Sequence, residues 1–183
     1  MIIVCNSKMM KPSNEGEQSA RRGRPFGGPP PSFLLVQLGA HAASKFAARL
    51  APLQLVPPHA GIMRILSAQP AITQQALAGA LGMQPSRLVA LVDDLETREL
   101  VERRENSEDR RSYALHLTEK GRAMQEAIGR LGREHQQELL AALTEDEQHQ
   151  LGALLRRIAD QQGLTPGVHP GFAQSGGPGK SAC

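Results

Sequence analysis

Aromatic side chains are scarce in this chain: 183 residues hold no Trp, one Tyr (Tyr113) and four Phe. A surface that stacks single-stranded bases needs several aromatic faces, so that class of binding is excluded. Thiols are nearly absent too. Cys5 and Cys183 lie at opposite extremes and match neither a metal-ligand spacing nor a disulfide framework. They read as incidental thiols in a reducing compartment, and a redox sensor would need Cys5 to fold back from its tail. No stretch approaches the roughly 18 apolar residues of a membrane helix, and Met-Ile-Ile-Val is too short for a signal-peptide core. The expectation is a cytoplasmic protein with no membrane partner. His135 and Glu138 share a helical face and His149 sits near acids, but no nucleophile, base and orienting group converge. The chain therefore reads as a non-enzyme with no cofactor and no metal.

Charge of one sign is also missing where it would matter. The pI near 9.2 suggests a basic protein, yet the excess lies in the ends. Residues 1–31 carry Lys8, Lys11, Arg21, Arg22 and Arg24 against Glu15 and Glu17, and residues 164–183 add Lys180. Between 32 and 163, fifteen basic residues face sixteen acidic ones. Any interaction with a polyanion must come from where cations sit, not from their total.

What is present is helical periodicity between two Pro/Gly-rich ends. Residues 1–31 and 164–183 have too little hydrophobic surface to offset ordering entropy and read as disordered tails. Residues 32–163 read as one mainly α domain with a small β-hairpin. Ser32 is a plausible N-cap for a helix over 33–50; Pro57-Pro58 opens another over 59–68, with Ile62, Ile65 and Leu66 on one face. Thr73 caps a short helix over 74–81, ended by Gly82. A fourth starts at Met83 or Gln84 and runs to about Arg98, with Leu88, Leu91, Val92 and Leu95 as its stripe. Two short helices around a Gly-bearing turn make a helix-turn-helix. Thr118 caps a long helix to Leu143 (Met124, Ala127, Ile128 and Leu131 inward), and Thr144-x-x-Glu147 is a capping box for a last helix with Leu151, Leu154, Leu155 and Ile158 as its stripe.

Between the fourth and fifth helices lies the most telling stretch. Two strand-like runs, 100–104 and 112–118, flank a polar loop ending in Asp109-Arg110-Arg111. A ribbon with arginines at its tip is shaped to set cations against a phosphate backbone or in a minor groove.

This order of elements resembles the MarR family of winged helix-turn-helix regulators over roughly residues 33–162. The resemblance rests on Ala76-Leu77-Ala78…Leu81-Gly82…Ser86-Arg87-Leu88-Val89…Leu91-Val92-Asp93-Asp94-Leu95-Glu96, then Leu100-Val101-Glu102-Arg103. Asp109-Arg110-Arg111…Leu115-His116-Leu117-Thr118-Glu119-Lys120-Gly121 follows at the expected distance. It implies a homodimer built by long flanking helices (33–55 and 119–162) and a DNA-binding lobe over 57–118. It also implies recognition helices in successive major grooves of a pseudo-palindromic double-stranded operator, wings in the flanking minor grooves, and repression relieved by a small aromatic or phenolic ligand.

With the apolar positions inward, Gln84, Ser86, Arg87 and Ala90 turn outward, where Arg and Gln can pair with base edges. Gln84 as a mere helix cap, and Arg87 as a solvated arginine, are the alternatives. Thr73 and Gln74 open the first helix of the motif and are placed for a backbone phosphate. The family's Asp-x-Arg pattern maps to Asp109 and Arg111, the carboxylate steering the guanidinium; Arg110 and Arg104 are expected at phosphates. A surface ion-pair cluster with Glu102, Glu105 and Glu108 is the competing reading. Two departures stand out. Glu99 replaces the Gly that many relatives carry before the first strand. Asp94 is placed on the polar side of the recognition helix, where a carboxylate repels phosphate or selects a cytosine amino group. His41, Phe46, His59, Met63 and Arg64 are the candidate liners of an effector pocket, each with plain core or surface as its alternative. A dimeric module that keeps the winged fold without specific DNA reading is the other functional reading.

Overall fold

The computed structural model describes residues 28–105, 113–169 and 172. Among the described residues the elements follow in the order α1 (Pro31–Leu50), α2 (Pro57–Ala68), β1 (Ile72–Thr73), α3 (Gln74–Leu81), α4 (Pro85–Thr97), β2 (Val101–Glu105), β3 (Tyr113–Leu117), α5 (Glu119–Leu139) and α6 (Glu145–Gln161), with a 3₁₀ turn at Ala51–Leu53. Among the described residues no helix is long and apolar enough to cross a membrane.

The chain divides into two compact units at Leu38/Gly39, inside α1. In the first, Phe33, Leu34, Leu35, Val36 and Leu38 are all exposed. Ser32, read as an N-cap, lies within the helix, which already starts at Pro31; proline is tolerated there because the first turn's N–H groups have no intrahelical partner.

In the second unit the core is built from Leu50, Ile62, Met63, Leu66, Leu77, Leu81, Leu88, Val92, Leu95 and Leu115, all essentially inaccessible. These are the inward stripes of α2, α3 and α4 closing on the sheet. The sheet runs β1-β3-β2, antiparallel throughout, so the expected hairpin is in fact three-stranded. Ile72 and Thr73 pair with Leu115 and Ala114. Two residues between Pro70 and a helix cap are too few for any periodicity to announce a strand. Thr73, Thr118 and Thr144 cap α3, α5 and α6 through side-chain oxygens that accept from Ala76, Gly121 and Glu147 N–H groups, each contact worth about 1 kcal/mol. Helix α5 stops at Leu139, four residues short of the expected Leu143, and no residue of α6 is buried; Leu154, Leu155 and Ile158 of its stripe are exposed.

The chain after Gly163, expected to be unpacked, departs from that expectation in its described part. Val168 packs on the core and Phe172 is buried in it. Their aromatic and β-branched surfaces supply the apolar burial that the surrounding Gly and Pro cannot.

Two tight turns frame α4. After α3, the Met83 N–H donates to Ala78 O and the Gly82 N–H to Gly79 O, with Gly82 at φ +59°. After α4 the same pattern recurs: Leu100 N–H to Leu95 O and Glu99 N–H to Glu96 O, with Glu99 at φ +59°. This is a left-handed helix stop in both places, but Glu carries a Cβ that the left-handed region penalises. Immediately beyond, α5 lies against the Leu100 backbone so closely that a Cβ on Gly121 would sit 1.9 Å from Leu100 O. Opposite outcomes are expected in chemical denaturation: Glu99→Gly stabilises by about 0.5–1 kcal/mol, whereas Gly121→Ala destabilises by at least about 2 kcal/mol because backbone must move.

Candidate nucleic-acid interface

The start of α4 offers a polar, exposed face. Gln84 is its N-cap residue with backbone in the β region, and its side chain makes no capping bond, which disfavours the reading of Gln84 as a mere cap. Pro85 occupies the first turn, and Gln84, Ser86 and Ala90 are exposed. Pro85 has no N–H, but those of Ser86 and Arg87 belong to the helix start, where the dipole favours an anion. Arg87 is half-buried: its Nη1 donates to Phe172 O at 3.1 Å. Thr73 is engaged as the α3 cap, with Ala76 N at 3.2 Å from its Oγ1. Gln74 accepts from Arg103 Nη2 at 3.4 Å and so is turned toward β2.

Arg103 was missed as a functional residue. From β2 it reaches Asp93 Oδ1 at 2.5 Å, pairs with Glu96 and meets Gln74, so one guanidinium joins α3, α4 and the wing. These bonds to Asp93 and Glu96 hold the guanidinium above its ordinary range against the opposing effect of burial. Asp93 and Glu96 lie one helical turn apart, and that spacing was the available signal. Asp94, expected to face DNA, instead accepts from Arg98 Nε at 3.1 Å and lies 3.4 Å from Nε2 of buried His59. It faces α2 and is paired there, contrary to the expectation that it repels phosphate or selects a cytosine amino group. Along α4, the three carboxylates are matched by arginines of the same domain.

On β2, Arg104 is exposed and, among the described residues, bonds locally to Glu102 at 2.5 Å. An exposed pair of this kind contributes little, so its exchange for another anion costs little. Asp109, Arg110 and Arg111 lie outside the described residues.

Residues 55–113 match the model of the MarR family. A transcriptional repressor, CouR, solved bound to a 23-mer DNA duplex, is 32% identical, with 71% of this chain and 92% of that one covered and a TM-score of 0.64. The chain belongs to the MarR family. A mutant MarR of E. coli, solved with operator DNA, is 26% identical over 69% of this chain and 91% of that one, with a TM-score of 0.62. A Thauera aromatica protein named for transcriptional regulation of the hcr operon is 32% identical over 106 residues. That alignment takes in 58% of this chain and 64% of the relative's length. Membership places this MarR-family chain among transcriptional regulators rather than enzymes.

A second feature of this MarR-family chain is a cavity of about 400 Å³ between α1, α2 and α5 within the second unit. Of the five candidate effector-pocket residues, Phe46 and Arg64 line this cavity and His41, His59 and Met63 do not. Position along α2 explains the split: Pro57, Ala60, Gly61 and Arg64 face the cavity, whereas His59 and Met63 are buried on the core side. His41 is exposed. Gln125 of α5, missed because it sits beside the Met124–Ile128 stripe, also lines the cavity, and its Oε1 is buried with no hydrogen-bond partner among the described residues.

His59 itself is a titrating part of the fold. Its Nδ1 accepts from the Val56 N–H at 3.4 Å. Nε2 is within ion-pair range of Asp94 but not aligned for a hydrogen bond. Burial pushes its pKa below the ordinary 6.5, Arg98 adds to that, and Asp94 opposes it. The unfolded chain then takes up this proton near pH 6.5 while the folded chain resists until lower pH, so stability is complete above 6.5 and falls as pH drops below it. Melting temperatures measured from pH 7.5 to 5 should fall, less steeply in His59→Gln; equal slopes in the two proteins would show that His59 is not responsible.

Proposed function

We infer that this chain is a homodimeric repressor that reads a pseudo-palindromic double-stranded DNA operator and releases it on binding a small phenolic or aromatic acid. The observation that carries the reading is the joint placement of α4 and the sheet: an exposed helix start bearing Gln84 and Ser86, clasped through Arg103 to strand β2, after which the sequence runs on through Asp109-Arg110-Arg111. Gln84 and Arg87 are assigned to base edges with Ala90 on the same outward face, Ser86 at the α4 start and Thr73 and Gln74 at the α3 start to phosphates, Arg104 and Arg110 to phosphates, and Arg111, steered by Asp109, to the minor groove.

Two further observations support the assembly and its control. The apolar residues of the α1 start and the α6 stripe are exposed in the single chain, on the helices that the family uses between subunits. Patches of that kind on a regulator mark association. The cavity has mostly apolar walls, and its polar lining residues include Arg64 and Gln125, the Oε1 of the latter having no partner among the described residues. A carboxylate suits the first and a phenolic hydroxyl donor the second, and about 400 Å³ holds a single ring acid.

Footprinting on the DNA upstream of the chain's own coding sequence tests the reading, with a two-fold symmetric footprint expected. In quantitative binding to the protected duplex, Gln84→Ala and Arg111→Ala should each weaken affinity by about 1–3 kcal/mol while melting temperature is unchanged. No footprint, or wild-type affinity in both variants, would leave the winged module as an interaction domain that does not read DNA.

A further inference from the structure

We propose that α2 and α3 form a socket for the chain's own C-terminal segment, and that Phe172 seated in it holds Arg87 away from DNA. This rests on the reading of α4 as the recognition helix and adds a regulator to it.

The socket is built for a ring. Phe172 is 8% exposed, in a stretch otherwise rich in Gly and Pro. A Cβ on Gly61 of α2 would lie 3.0 Å from Phe172 Cε2, so the ring occupies the space that the missing side chain leaves; the same Cβ would lie 3.6 Å from Leu81 of α3. Two more contacts join the segment to the body and one braces it internally. Arg64 Nη2 donates to Gly167 O at 2.7 Å, Val168 packs on the core, and the His169 ring tilts against Phe172 at 5.5 Å. Exposed tails do not acquire an aromatic anchor, a half-buried valine and two arginine-to-carbonyl bonds by loose association; together these oppose the entropy of ordering the segment.

The consequence lies in the second of those bonds. Arg87 Nη1 donates to Phe172 O in a half-buried setting, and the side chain that spends a donor there is directed toward the tail. To pair with a base edge the guanidinium must leave this carbonyl, so the DNA-competent form is one in which the segment is released. Apparent affinity for DNA is then the intrinsic affinity scaled by the released fraction. The cavity adds a second handle: Gly167, His169 and Phe172 form part of its wall. A molecule filling the cavity contacts the seated segment and not the released one, so it favours the form in which Arg87 is held.

The test measures affinity of the full chain for the duplex immediately upstream of its coding sequence. It compares wild type with Phe172→Ala, which removes the ring, and Gly61→Ala, which places a methyl against it while leaving the core side chains intact. Either variant that keeps a wild-type melting profile should bind roughly three- to tenfold more tightly, and the gain should vanish when Arg87→Ala is added. Unchanged affinity in Gly61→Ala and Phe172→Ala, with Arg87→Ala still weakening binding, overturns the socket's role. A gain that survives Arg87→Ala overturns the link through Arg87. Failure of wild type and every variant to bind the duplex, or full affinity in Arg87→Ala alone, instead overturns the reading of α4 beneath it.

Discussion

Arg103 is the constraint on which the arrangement depends. A two-stranded ribbon has little stability of its own, and a recognition helix is useful only if the ribbon beside it is held at a fixed angle. One guanidinium on β2 answers both needs by meeting Asp93 and Glu96 of α4 and Gln74 of α3. Its planar fork suits several acceptors at once in a way a lysine could not. Removing one partner of such a half-buried cluster leaves the others without compensation, so the geometry of helix and wing stands or falls together.

The same clasp resolves the charge balance. A domain with as many acids as bases looks poorly suited to DNA, and α4 carries Asp93, Asp94 and Glu96 along its length. Each is matched inside the fold, the first and third by Arg103 and the second by Arg98. Their field toward a phosphate backbone is thereby muted at short range, and the helix start is left with the neutral Gln84 and Ser86 beside Arg87. The proposed DNA surface therefore follows from which acids are already paired, a property that net charge does not register.

Much of the fold was legible because its signals are local. Apolar spacing located the core faces of α2, α3 and α4, threonines marked three helix starts, and Gly82 marked a stop. What failed to show depended on distant partners. Strand β1 exists only because β3 offers it an edge, and Asp94 turns to α2 because Arg98 and His59 are there. Within the candidate site, the split of α2 into a cavity face and a core face follows helical period, yet its phase could not be chosen without α5. Phe172 was hidden by its surroundings: one ring in a Gly/Pro stretch resembles a tail until a glycine on another helix provides its seat.

On the proposed reading, the α4–wing unit meets a DNA backbone with cations placed locally rather than by overall charge. Equilibrium affinity for the footprinted duplex as a function of salt tests it most directly. A dimer making about eight phosphate contacts should show log affinity falling against log salt with a slope of about −7. A flat dependence on the same duplex would contradict the account.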